Sequence, residues 1–154
     1  MLKSLTTNGR FAVIVLLAIF TSCLSLDADA QCKRFTEKNC LPMLAPFQNN
    51  GQINTTTLFE GDSAALNMTF YSLLEYRLLV CAHPVLGEGV FFRVKDSDGE
   101  VLYTNKDNPS LKYWDFKVNS TQDLHIDVVV PENPESMSDM PPSGCVSILL
   151  GFKE

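Results

Sequence analysis

The sequence is short of the residues most chemistry needs. It has two histidines, one tryptophan and only 12 lysines and arginines. With no C-x-x-C pair, and with His83 and His125 not placed as ligand partners, the usual zinc spacings are missing. The few basic residues form no cluster. Against 18 acids they leave a net charge of −6, which repels phosphate backbones and anionic lipid headgroups, so nucleic acid is excluded as a partner. Charged residues make up only 19% of the chain and hydrophobic ones 45%, which excludes a disordered polymer. Past the N-terminus no amphipathic helical stretch of useful length occurs, so the crossover helices of a parallel sheet are missing too.

What is present begins with a leader. Lys3 and Arg10 precede an unbroken apolar run, Phe11 to Phe20, and Ala28-Asp29-Ala30 offers the small residues that signal peptidase accepts. The run is shorter than the ~20 residues that span a bilayer. The expectation is a signal peptide over 1–30, cleaved after Ala30, and export to the periplasm, cell surface or extracellular space. Two alternatives stay open: an uncleaved anchor extended by Thr21 to Leu26, and a lipid on Cys23, because Phe20-Thr21-Ser22-Cys23 resembles a lipobox. Membrane contact is expected only through the leader or that lipid. Removing Lys3, Arg10, Asp27 and Asp29 with the leader keeps the net charge at −6. Cys32, Cys40, Cys81 and Cys145 remain, an even set for which export makes disulfides the default.

Residues 31–52 form a short N-terminal extension. Cys32 to Cys40 suits a helical turn or two, stopped at Leu41-Pro42, after which Pro42 and Pro46 are expected to force an extended path. From 53 to 154 the period is two. Strands are expected over Ile53 to Glu60, Ala64 to Tyr71, Glu75 to Ala82, Gly89 to Lys95, Glu100 to Asn105, Lys112 to Val118, Asp123 to Val130 and Cys145 to Phe152. Asp96-Ser97-Asp98-Gly99 is a hairpin turn. The predicted fold is all-β: an antiparallel, jelly-roll-like β-sandwich of about eight strands with a disulfide-closed N-terminal extension.

Tyr76 to Val80, Phe92 to Tyr103 and Leu124 to Val128 together resemble bacterial pre-peptidase C-terminal domains and GOLD-type domains, over roughly residues 58 to 152. That resemblance implies a sandwich serving as a non-catalytic accessory or recognition module. It also implies that the strands bearing Cys81 and Cys145 are neighbours, hence a Cys81–Cys145 disulfide. Cys32–Cys40, closing a short local loop, is expected beside it.

Several motifs touch on chemistry. Gly61-Asp62-Ser63 matches the nucleophile block of some lipases, but the later Asp-x-x-His is missing and a turn between strands accounts for it. Asp96, Asp98 and Glu100 alternate like the first ligands of a calcium loop, yet position twelve is Asp107 and the flanks are strands. Tyr113, Trp114 and Phe116 offer either a sugar-stacking platform or core. Asn54-Thr55-Thr56, Asn67-Met68-Thr69 and Asn119-Ser120-Thr121 are formal N-glycosylation acceptors, and Asp62-Ser63-Ala64 resembles a bacterial O-glycosylation triplet. No catalytic residue, metal or cofactor is expected. Pro131 to Gly144 is the longest stretch without strand or helix character, and its Glu135, Met137, Asp139 and Met140 are the candidate partner-binding residues. The function expected is a non-enzymatic envelope or secreted module that binds a protein or glycan, or an accessory subunit of a surface assembly. A small secreted hydrolase is the alternative.

Overall fold

A computed structural model describes residues 27–132 and 140–153. Helix α1, Asp27–Phe35, has Lys33 and Arg34 in its last turn, where the negative end of the helix dipole favours them. It runs into a π-helical turn, Thr36–Cys40, and a 3₁₀ turn, Leu41–Leu44. Among the described residues nine strands follow: β1 Gln48–Asn49, β2 Asn54–Phe59, β3 Ser63–Phe70, β4 Glu75–Ala82, β5 Phe91–Lys95, β6 Val101–Thr104, β7 Tyr113–Lys117, β8 Gln122–Val129 and β9 Ser143–Lys153. A 3₁₀ turn, Pro84–Leu86, sits between β4 and β5. Among the described residues no helix is long and apolar enough to cross a membrane.

All pairings are antiparallel. The first sheet runs β1-β9-β4-β7, with β2 also against β9; the second runs β3-β8-β5-β6. The antiparallel sandwich is therefore as expected. Phe70, Phe92, Val94, Leu124, Ile126, Val128 and Val146 lie in one core between the sheets, with Leu78 and Val80 facing them from β4. Trp114 and Phe116 pack against that core, stacked on each other at 4.1 Å, and Tyr103 stacks on Trp114 at 4.9 Å. Tyr113 lies on the opposite face of β7, under the Arg77 guanidinium at 4.1 Å, so the three aromatics form no common platform.

The extension does not extend away from the sandwich. It lies across the outer face of the first sheet, where Cys40 and Leu44 pack on Leu79, Cys81 and Leu149 in a second cluster. Pro42 does not force an extended path; it stands at the start of the 3₁₀ turn, where a missing N–H costs nothing. The expected disulfides are corrected. Cys32 bonds Cys145 and Cys40 bonds Cys81, so both bridges tie the extension to the sheet. The physical reason is the face each cysteine occupies. Cys81 and Cys145 both leave the outer side of neighbouring strands, Cys81 opposite Ser147, and the segment lying over that side supplies each with its own partner. Arg77 adds a third fastening. It binds Asp115 through two bonds of 2.7 Å, donates to the Ala45 carbonyl at 2.7 Å, and lies 4.7 Å from the Phe47 ring centre. The hydrogen bond to Asp115 raises the Arg77 pKa further still.

Candidate functional site

The end of the sandwich where Val130 and Pro142 lie against the β2–β3 turn carries three exposed apolar side chains, Phe59, Val85 and Met140. Three backbone contacts anchor its base: Gly61 N–H donates to the Val130 carbonyl, Val130 N–H to the Asp62 carbonyl, and Glu60 N–H to the Pro142 carbonyl. Close packing needs glycine here. A Cβ on Gly144 would sit 2.8 Å from Val85 Cγ1, nearer than Cβ atoms approach, and 3.1 Å from Leu86 Cγ. Glu135, Met137 and Asp139 lie outside the described residues. Met140 is described and is 79% exposed.

Around that base stand two more exposed apolar side chains that sequence reading passed over, Phe59 at 47% and Val85 at 46%. Phe59 pairs with Ser143 in the β2–β9 register, and Val85 borders Gly144. The sequence signal for Phe59 was there: it alternates out of phase with the buried Leu58, at the end of a threonine-rich strand. Between α1 and the sheet, a groove of about 410 Å³ is lined by Phe35, Thr57, His83, Ser143 and the Cys32–Cys145 bridge. Glu60, Asp62 and Glu132 add acidity at this end.

His83, His125, Asp127, Asp96 and Asp62 each make contacts that hold the local fold. His83 Nδ1 accepts from Val85 N–H at 3.2 Å, capping the 3₁₀ turn, and its ring lies 5.1 Å from Phe35. His125 is on the solvent side of β8, with Nδ1 2.6 Å from Asn67 Oδ1 and Nε2 2.7 Å from Asp127 Oδ1. Asp127 also receives Lys95 at 2.6 Å. Burial pushes the Asp127 carboxyl up, but the Lys95 ammonium bonded to it and the His125 charge outweigh this and hold it below its ordinary value. In the Asp96 turn, Oδ1 accepts the N–H groups of Asp98 and Glu100, both at 2.9 Å, so the carboxylate organises its own hairpin. Asp62 Oδ2 likewise accepts Phe59 N–H, and Gly61 takes φ +85°, making Gly61-Asp62-Ser63 a turn into β3.

A second cavity, about 280 Å³, opens between the sheets where β7 stops short of the end of β4. Val80, Ala82, Val90 and Phe92 line it, with Glu88 and Lys112 also contributing to its walls. Asn105 beside it is buried and committed, accepting from Phe92 N–H and donating to the Leu111 carbonyl.

No family model matches the chain, and no curated protein matches it. Among solved structures, the chain is similar to the crystal structure of Aeromonas hydrophila PliG, a periplasmic lysozyme inhibitor of g-type lysozyme. The identity is 7%, the TM-score 0.46, and the match covers 66% of this chain and 85% of that one. A likeness at that level carries no argument about what this chain does.

Proposed function

We propose that the chain is an exported, non-enzymatic binding module that engages a protein through the end of the sandwich where β8 stops and β9 begins. The observation that carries this reading is three exposed apolar side chains, Phe59, Val85 and Met140, close to where β9 begins, on a disulfide-fastened frame. Binding surfaces are commonly loops held by a rigid scaffold, and methionine and aromatic side chains supply adaptable apolar contact. The acids at this end suit a basic partner surface. Export is supported by the leader pattern and by two disulfides, which persist in oxidising compartments. A binding role is supported further by the commitment of both histidines and all four paired cysteines to structure.

The test is co-purification from the native envelope in mild detergent, comparing wild type with a Phe59→Asp, Val85→Asp double variant and with deletion of 135–140. Both variants are expected to keep the wild-type melting temperature and to lose the co-purifying protein. If both fold and retain it at wild-type yield, this end is not the recognition surface.

A further inference from the structure

Natural sandwiches guard their sheet edges, because an open row of N–H and C=O groups is a template for another strand. Three edge strands here carry such guards. Strand β1 is two residues long, β6 is four residues beside a register shift at Val94/Lys95, and β7 carries Asp115 and Lys117. On β2, Asp62 takes both outward groups of Phe59, its carboxylate accepting the N–H and its own N–H donating to the carbonyl.

Strand β3 has no such guard. Its eight residues, Ser63-Ala64-Ala65-Leu66-Asn67-Met68-Thr69-Phe70, include no charge, proline or glycine, and among the described residues it pairs with β8 alone. Val130 N–H donates to the Asp62 carbonyl, so even-numbered residues face β8, and by alternation Ser63, Ala65, Asn67 and Thr69 turn their backbone groups outward. The row has a defined end. At the next odd position, the Tyr76 hydroxyl accepts Tyr71 N–H at 2.9 Å and donates to the Tyr71 carbonyl at 3.2 Å.

A second observation lies beneath this edge. The inward side chains Ala64, Leu66 and Met68 are only half-buried, because β2 opposes them with Asn54 and Thr56. A groove of about 270 Å³ remains, lined by those two residues with Ala64, Leu66, Val146 and Ile148.

We propose that β3 pairs antiparallel with β3 of a second copy of this chain, about a two-fold axis at Leu66. This does not rest on the binding function proposed above, which uses a different surface. The open run from Ser63 to Thr69 is centred on Leu66, so in this register all its outward groups pair: Ser63 with Thr69 and Ala65 with Asn67 of the other copy, and the reverse. Small stands against large on the inward side, Ala64 against Met68, while the two Leu66 side chains meet over the grooves. No charged pair is opposed within the run. Asp62 and Asp123 flank it at opposite ends, so association should tighten as salt screens them, whereas a basic foreign strand on the same edge would bind more weakly in salt.

The test is sedimentation velocity of the full chain, isolated with its disulfides intact, from about 1 µM to about 100 µM. A monomer–dimer equilibrium that tightens with salt is expected. Leu66→Cys should cross-link into a covalent dimer on mild oxidation, since a directly opposed pair of this kind has Cα atoms about 4.5 Å apart, within disulfide range. Leu66→Lys and Leu66→Glu should each weaken the dimer at least about tenfold, and mixing the two should restore it. A wild-type monomer throughout the range overturns the proposal. So does a dimer in which the introduced thiols fail to cross-link, or one that both charged variants leave as tight as wild type. Should the charges unfold the strand, the cysteine variant decides alone.

Discussion

Removing the disulfides one at a time should destabilise the domain in an order set by chain separation. Cys32–Cys145 spans 113 residues and Cys40–Cys81 spans 41. Closing a loop of n residues removes entropy from the unfolded chain by about 2.1 + 1.5R ln n cal/mol/K, which at 25 °C comes to about 4.8 kcal/mol for the longer bridge and about 3.9 kcal/mol for the shorter. A local Cys32–Cys40 bridge would contribute only about 2.6 kcal/mol by the same formula. The perturbations are the double variants Cys32→Ala with Cys145→Ala, and Cys40→Ala with Cys81→Ala, each followed by urea unfolding. Both are expected to lose about 4–5 kcal/mol, with the long-bridge variant the less stable by about 1 kcal/mol. The second variant also leaves space among Leu44, Leu79 and Leu149, which works against that order. Losses under about 1 kcal/mol for either pair would refute the loop-entropy reasoning. A Cys32–Cys40 peptide in a non-reducing map would refute the pairing itself.

Gly151→Ala should cost about 1–3 kcal/mol in urea unfolding, because a Cβ there would fall 2.7 Å from Phe47 Cβ and 3.2 Å from Leu44 Cδ2, lifting the extension from the sheet. Equal stability would mean the extension adjusts freely. For Asp127 the sign follows from its depressed pKa: the carboxylate stabilises the fold above the ordinary aspartate value, and that contribution disappears as pH falls through the folded-state pKa. Asp127→Asn should therefore flatten the acid limb of stability against pH, measured by urea midpoints, and an unchanged limb would sink the argument.

The strands were legible because burial on one face forces alternation. Asp123, His125 and Asp127 against Leu124, Ile126 and Val128 leave no other register. The place of the extension was not legible by that rule, since it depends on contacts distant in sequence. A trace of it was present. Strands β4 and β9 read as nearly continuous apolar runs, with Leu79, Cys81 and Leu149 on what alternation assigns to solvent, and a strand apolar on both faces needs a cover on each. The disulfide pairing depends on the same contacts: ease of closing a short loop favours Cys32–Cys40, and only the extension's place over the sheet puts Cys32 beside Cys145 and Cys40 beside Cys81. At the candidate site, length and proline content single out Pro131 to Gly144 in the sequence, and alternation marks Phe59 as outward, whereas the position of Val85 beside Gly144 depends on the Pro84–Leu86 turn meeting β9.

The Cys32–Cys145 bridge also decides how the domain carries mechanical load. A pull applied ahead of Cys32 passes through the disulfide directly to the start of β9, bypassing everything folded between them. With the other end of the pull at Lys153, tension runs along β9 alone, a strand held by β1 and β2 on one side and β4 on the other. The ladder bonds on both flanks are then loaded together in shear, with no edge from which to unzip one at a time. Reduced, the same chain would peel from its N-terminus, extension first; oxidised, its resistance to force resides in its central strand.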